Sequence, residues 1–205
     1  RHEKEGRTAS PAKLHRNIHE QSLRYTGPVS WRPSFPIALA LLFALLLTDL
    51  LLKAWAAQNL VNTPVRPLIP GLLSLTYTLN PGIAWGLLSG LTVPLAVLRL
   101  AVGLGLILTL WRGRPHPKLA LSLALIAAGA LGNAVDGLTR GSVVDYLSSP
   151  LLDRFSQRLS AQPFPVFNLA DVLVLLGVAA LLLASARRTP TPPTALTQTQ
   201  PKGES

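Results

Sequence analysis

The sequence contains no cysteine, and its four histidines are all far along the chain from the acidic residues in the apolar segments. Without cysteine the chain has no disulfide, no thiolate metal ligand and no thiol nucleophile. The HExxH pattern of helical zinc sites is also absent. The histidines lie in a polar N-terminal segment and in one short basic stretch: His2, His15, His19 and His116. We therefore predict neither a metal site nor a cofactor.

Charge is also scarce, because only 14% of the 205 residues are charged and 49% are hydrophobic. Soluble domains carry about a quarter charged residues. Four apolar segments are each close to the roughly 20 residues that a helix needs to cross a bilayer. Lipid offers the backbone no hydrogen-bond partners, so these segments should be helical. We predict an all-α membrane protein with four transmembrane helices, at about 36–57, 91–110, 119–135 and 166–184.

The basic residues, which give a net charge of +10, lie beside the apolar segments rather than along one face that could bind nucleic acid. Short loops rich in lysine and arginine remain in the cytoplasm. We predict cytoplasmic, disordered tails at 1–33 and 187–205 and a four-helix domain at 34–186, with the connections 58–90 and 136–165 on the outer side. The residues that set this orientation are Arg24, Arg32, Arg112, Arg114, Lys118, Arg187 and Arg188.

The first outer connection combines β-forming residues with a turn. The stretch LLSLTYTL is rich in residues that favour strands, and NPGIAWG follows it with a Pro-Gly turn at Gly82. We predict a small extracytoplasmic β-containing loop between helices one and two. Such a strand could bind an extended peptide through its backbone. The alternative is a structural turn that returns to the membrane with Trp85 as an interfacial anchor.

Four aspartates stand inside or at the ends of apolar segments, where a carboxylate is costly and by default marks a functional site. The predicted topology brings them to one membrane face: Asp49, Asp136, Asp145 and Asp171. The fifth aspartate, Asp153, lies in the stretch LLDRFSQRL, which could form a short amphipathic helix on the membrane surface.

Asp145 and Asp171 are the candidates for chemistry. Two facing carboxyl groups repel each other's charge, so that one is protonated while the other is ionised. The ionised group can activate water as a general base, and the protonated group can polarise a carbonyl as a general acid. The alternative for Asp171 is a capping role at the start of a helix.

Two asparagines precede aspartates at the same spacing, Asn133 before Asp136 and Asn168 before Asp171. Residues three apart share a helix face, so each pair could orient a substrate or a catalytic acid. The alternative is that they form only hydrogen bonds that hold helices together.

Asp49 and Lys53 are four residues apart and can form an ion pair within one helix. We expect Lys53 to extend outward along the helix, with its charge near the membrane surface. We expect Asp49 to bond to an outer loop in addition.

In this order, five stretches resemble the lipoprotein signal peptidase (signal peptidase II) family, the membrane aspartyl peptidases of bacteria. They are Asp49 with Lys53, NPGIAWG, GNAVD, GSVVDYL and FNLAD. The resemblance implies a catalytic dyad of Asp145 and Asp171, with Asn80, Asn133 and Asn168 positioning the dyad and the substrate. It further implies a protein of the bacterial inner membrane that cleaves diacylglyceryl-modified prolipoproteins just before the lipidated cysteine and is inhibited by globomycin.

The chain departs from the family at Gly137, where members usually have arginine. Arg140, three residues further along, is the candidate to take that place. We expect a monomer whose partners are lipidated prolipoproteins and membrane lipid. The residues expected to bind substrate or support the site are Asp49, Lys53, Asn80, Gly82, Asn133, Asp136, Arg140 and Asn168. The competing interpretations are a proton-coupled carrier, which would spread its acids through the membrane depth, and an assembly protein whose acids are structural.

Overall fold

Four long helices form the body of the protein in a computed structural model that describes residues 34–82, 90–113 and 115–186. The two predicted tails and Trp85 lie outside these described residues. All four helices are long and apolar enough to span a membrane, which confirms the predicted fold class. They are α1 (Ser34–Asn59), α2 (Thr92–Gly113), α3 (Pro117–Arg140) and α5 (Leu169–Ala186); a shorter α4 (Pro150–Ser160) precedes the last.

The central helix of the bundle is α3, which packs against each of the other three long helices. In its most apolar window 72% of the residues are buried, against 17% in each of the others. Its buried face is made of small residues, with the run from Ala127 to Gly132 as the clearest part. Small side chains let neighbouring backbones approach closely, which is how helices associate where lipid surrounds them.

Several helix ends differ from the predicted ones, and the contacts explain two of these differences. Helix α3 continues to Arg140 because its last turn is stabilised by an ion pair, and it ends at Gly141, whose φ of 69° is left-handed. Helix α5 begins only at Leu169, since Phe167 is still paired with the strand residue Leu147. Both differences result from contacts that an apolar run does not reveal.

An antiparallel three-stranded sheet joins the connection between α1 and α2 to the connection between α3 and α5. Its strands are β1 (Arg66–Ile69), β2 (Leu73–Asn80) and β3 (Val143–Ser148), in the order β1-β2-β3. Strand β2 confirms the predicted β-containing loop. Strand β3 was not predicted, although Val143, Val144 and Tyr146 are of types that favour strands. Because β3 pairs with β2, Asp145 lies opposite Thr78 in the sheet.

The predicted amphipathic helix in the connection between α3 and α5 is present as α4. Ser149 caps its first turn by accepting a hydrogen bond from the backbone N–H of Leu152. Leu151, Phe155 and Leu159 are exposed at a spacing of four residues and form one apolar stripe. A helix with this pattern suits the boundary between lipid and water.

Candidate active site

Lys53 is the centre of a buried polar network, although it was expected to extend toward the membrane surface. Its side chain is only 1% exposed, so that expectation was wrong. Its Nζ lies 2.9 Å from Asp49 Oδ2 and donates a hydrogen bond of 2.7 Å to Asn133 Oδ1. Asp136 Oδ2 lies 3.5 Å away. Three oxygens therefore replace the water that a solvated ammonium would have.

Asp49 connects α1 to the first turn of α5, and within residues 34–82, 90–113 and 115–186 it does not form the expected hydrogen bond to an outer loop. Its Oδ1 accepts a hydrogen bond of 2.9 Å from the backbone N–H of Ala170. A carboxylate at this end of α5 also interacts favourably with the helix dipole. The approach requires Gly132, because a Cβ at that position would collide with the Asp49 carboxylate.

Asp136 holds the end of α3 against the start of β3. Its Oδ1 accepts from Arg140 Nε at 3.1 Å, and its Oδ2 accepts from the backbone N–H of Val144 at 3.1 Å. Asp136 is buried, whereas the side chain of Arg140 is 45% exposed. The contact with Val144 fixes the backbone immediately before Asp145.

Asp145 projects from β3 into a pair of amide donors and is only 2% exposed. Its Oδ1 accepts from Asn168 Nδ2 at 2.6 Å, and its Oδ2 accepts from Asn80 Nδ2 at 3.1 Å. Asn80 is itself held by the turn, because its Oδ1 accepts from the backbone N–H of Gly82 at 3.0 Å. Gly82 therefore supports the site through Asn80.

Asp171 and Asn168 form a reciprocal cap at the start of α5. The backbone N–H of Asp171 donates to Asn168 Oδ1 at 3.0 Å, and the backbone N–H of Asn168 donates to Asp171 Oδ2 at 3.2 Å. This geometry is a capping box. Asn133 Nδ2 donates to the other oxygen, Asp171 Oδ1, at 2.8 Å. The capping role and the contact with a second helix therefore coexist.

The two asparagines connect the two aspartates. Asn168 Nδ2 also approaches Asn133 Oδ1, at 3.1 Å, so that a continuous chain of polar contacts runs from Asp145 to Asp171. Burial raises the pKa of Asp145 to about 7, and the negative charge of Asp171 adds to the rise, while the hydrogen bonds from Asn80 and Asn168 oppose it. Asp145 therefore retains its proton closer to neutrality than an ordinary aspartate does.

Each aspartate of the pair lines its own groove. A largely apolar groove of about 500 Å³ lies between α2, α3 and α5 and contains Asp171, Asn133 and Arg99. A second groove of about 350 Å³ lies beside β2 and contains Asp145 and Asn80.

Two side chains at the site, the buried Tyr146 and the partly buried Arg99, were not among the predicted residues. The hydroxyl of Tyr146, next to Asp145, accepts a hydrogen bond of 3.3 Å from the backbone N–H of Leu169. Burial raises the pKa of this tyrosine. Arg99 lines the apolar groove; its signal in the sequence was a single cation within a long apolar run.

All ten predicted site residues lie in this assembly, although they differ in how directly they contact the two aspartates. Eight belong to one polar network, of which six are buried and two, Asn80 and Asp171, are partly buried; the buried six are Asp49, Lys53, Asn133, Asp136, Asp145 and Asn168. Gly82 joins it through Asn80, and Arg140 joins it through Asp136. Three helices, two strands and a turn thus bring their polar groups together at one end of the helix bundle.

Comparison with known proteins gives one consistent family. Residues 41–187 match the family model Peptidase_A8, described as signal peptidase (SPase) II. The lipoprotein signal peptidase of Deinococcus radiodurans is 44% identical over 163 residues, which are 78% of this chain and 83% of that protein. The lipoprotein signal peptidase of Clostridium acetobutylicum is 38% identical over 133 residues, covering 64% of this chain and 82% of that one.

Two solved structures, both described as bacterial membrane enzymes, share the fold. The first has a TM-score of 0.65 at 23% identity and covers 76% of this chain and 93% of its own. The second has a TM-score of 0.63 at 24% identity and covers 75% of this chain and 95% of its own.

Proposed function

The chain belongs to the signal peptidase II family, and from this premise we propose that it removes signal peptides from diacylglyceryl-modified prolipoproteins. Cleavage occurs just before the lipidated cysteine, by water that Asp145 and Asp171 activate. The observation that carries this proposal is the pair of carboxyl groups joined through Asn133 and Asn168. They come from different elements, and each faces its own groove.

The unequal surroundings of the two aspartates support a division of roles. Asp145, whose pKa is raised to about 7, holds the proton and acts as the general acid. The Asp171 carboxylate accepts two hydrogen bonds, from Asn133 Nδ2 and from the backbone N–H of Asn168, which hold it in place, and we assign it the role of general base. Neither role requires a metal or a covalent intermediate.

The reaction balances with these two groups alone. Asp171 takes a proton from water as the water oxygen bonds to the scissile carbonyl carbon, and Asp145 donates its proton to the carbonyl oxygen. The resulting intermediate collapses when Asp145 takes back the hydroxyl proton and Asp171 gives its proton to the departing nitrogen. The C–N bond breaks, one water is consumed, and both carboxyl groups return to their initial protonation states.

The position of the site suits a lipid-anchored substrate. The apolar groove between α2, α3 and α5 gives room for hydrocarbon beside Asp171. The sheet and the groove beside β2 offer backbone and amide groups to the polar peptide on the other side. A substrate whose scissile bond adjoins its lipid would place that bond at this boundary.

The carrier and assembly interpretations fit the geometry less well. Proton relays need acids distributed through the membrane depth, whereas Asp49, Asp136 and Asp171 lie at one end of their bundle and Asp145 lies in the sheet. One chain supplies the entire polar network, which supports a site that is complete in a monomer. The membrane in question is the bacterial inner membrane, with the site on its outer side and both termini in the cytoplasm.

The test is cleavage of a diacylglyceryl-modified precursor by the purified protein in lipid. Asp145→Asn and Asp171→Asn should each reduce turnover by about a thousandfold or more, as expected when an acid–base partner is removed. Asp153→Asn, which alters an aspartate on α4, is the matched control and should retain activity. Globomycin should inhibit the wild type, and mass spectrometry should find the lipidated cysteine at the new N-terminus. Full activity in either dyad variant would disprove the assignment.

A further inference from the structure

Arg99 places a guanidinium inside the membrane-spanning part of α2. It lies seven residues after Thr92, or about 10 Å along the helix axis. Its Nη2 donates a long hydrogen bond of 3.4 Å to the backbone oxygen of Gly82. Its Nη1 is buried and has no hydrogen-bond partner among residues 34–82, 90–113 and 115–186. Within the same residues, none of the ion pairs includes Arg99.

This arrangement requires an explanation, because a cation among apolar side chains is costly unless something binds it. Buried N–H groups nearly always have an acceptor. Among the residues that the structure describes, no carboxylate forms an ion pair with this side chain, unlike those of Lys53 and Arg140. It lines instead the apolar groove, together with Asn133 and Asp171. The free donor is thus next to the place where the scissile bond is expected.

The packing of α2 on α3 explains why this cation comes from α2. A Cβ built at Gly137 would lie 2.7 Å from the Cβ of Ala96, so the two helices exclude any side chain at position 137. That is the position at which the family usually has arginine. Arg99 is three residues beyond Ala96, and Asn133 is four residues before Gly137. Since α2 and α3 run in opposite directions, both lie about one turn deeper than the Gly137 contact.

We propose that Arg99 binds a carbonyl oxygen of the substrate in the groove between α2, α3 and α5, in place of the side chain that Gly137 excludes. The inference rests on the proposed function. The acceptor is either a peptide carbonyl near the scissile bond or an ester carbonyl of the diacylglyceryl group. Arg140, bound to Asp136 and nearly half exposed, does not fill the groove in this way.

The test compares steady-state kinetics of the wild type, Arg99→Ala and Arg99→Lys in lipid. Arg99→Ala should raise KM about tenfold or more, because a hydrogen bond to a charged group is lost. The kcat should change little, since the bond is made in the bound substrate as well as in the transition state. Arg99→Lys should have a KM between those of Arg99→Ala and the wild type. Arg112→Ala, which removes a cation from the other end of the same helix, is the matched control and should leave KM unchanged.

Two substrates identify the acceptor. With a precursor that has ether-linked chains in place of esters, an unchanged effect of Arg99→Ala assigns the bond to a peptide carbonyl. If the ether substrate raises the wild-type KM and abolishes the difference between wild type and Arg99→Ala, the acceptor is an ester carbonyl. Both results support the binding role.

Other outcomes overturn it. A wild-type KM in Arg99→Ala refutes the role of Arg99 and leaves the proposed function intact. A lower kcat with unchanged KM and a lower melting temperature shows a structural role instead. If Arg99→Ala does not fold, Arg99→Lys decides, because a wild-type KM together with wild-type stability in that variant contradicts a specific guanidinium contact. Absence of wild-type cleavage refutes the proposed function and this inference with it.

Discussion

The stability of Asp145→Asn relative to the wild type should increase as pH rises from about 5 to about 8, while turnover falls by about a thousandfold or more. The pKa of Asp145 in the folded protein is about 7, against an ordinary 3.8. Between these pH values the folded protein keeps a proton that the unfolded chain has released. The contribution of Asp145 to stability therefore falls by about 4 kcal/mol in total as pH rises from 3.8 toward 7, and it is constant above that pH.

The neutral amide in Asp145→Asn removes this dependence. Asn80 and Asn168 both donate to Asp145, so the variant loses one acceptor, at a cost of about 1–3 kcal/mol at any pH. That cost is the same at every pH, so it does not affect how the difference in unfolding free energy between variant and wild type varies with pH. From about pH 5 to about pH 8 this difference should shift by about 3 kcal/mol in favour of the variant.

Thermal unfolding in detergent, followed by circular dichroism, measures this change. For a chain of this size about 3 kcal/mol corresponds to a relative shift in melting temperature of about 6–12 °C between the two pH values. Asp153→Asn is the control, and its difference in melting temperature from the wild type should be the same at the two pH values. The same melting-temperature difference between Asp145→Asn and wild type at both pH values would refute the reasoning. In the wild type, cleavage should decline as pH rises through about 7, because the general acid loses its proton.

Two further predictions concern the buried lysine and the orientation in the membrane. Lys53→Met leaves the buried Asp49 without its cation and should destabilise the protein by about 3–5 kcal/mol, measured by unfolding. The double variant with Asp49→Asn should recover part of this loss, and equal melting temperatures for the single and double variants would contradict it. A phosphatase that is active only outside the cytoplasm should be inactive when fused after residue 205 and active when inserted within 62–65. The opposite pattern would overturn the proposed topology.

The sequence alone was sufficient for the four helices, because lipid leaves an apolar run of that length little alternative to a spanning helix. It also identified the aspartates, since carboxylates are costly beside hydrocarbon. The repeated Asn-x-x-Asp spacing predicted polar contacts near those carboxylates. Strand β3 could have been suspected from VVDYL, but whether it pairs depends on β2, which is more than 60 residues away in the chain.

The direction of Lys53 was decided only by the tertiary structure. A lysine near a helix end can extend toward water or turn inward, and the choice depends on which oxygens face it. Its partner Asn133 is 80 residues away, and the bond between Asp49 and Ala170 spans 121 residues. No local pattern reports such contacts.

The same limit applies to Gly137 and Arg99. The sequence showed a glycine where the family has arginine and a separate arginine within an apolar run, but it did not relate them. Only the close packing of Ala96 on Gly137 reveals that helix α2 occupies the space that a side chain at position 137 would need. The residue types thus determined which helices form and which groups are costly to bury, because those properties are local. The packing of the helices decided which of these groups meet, because that depends on three-dimensional distances.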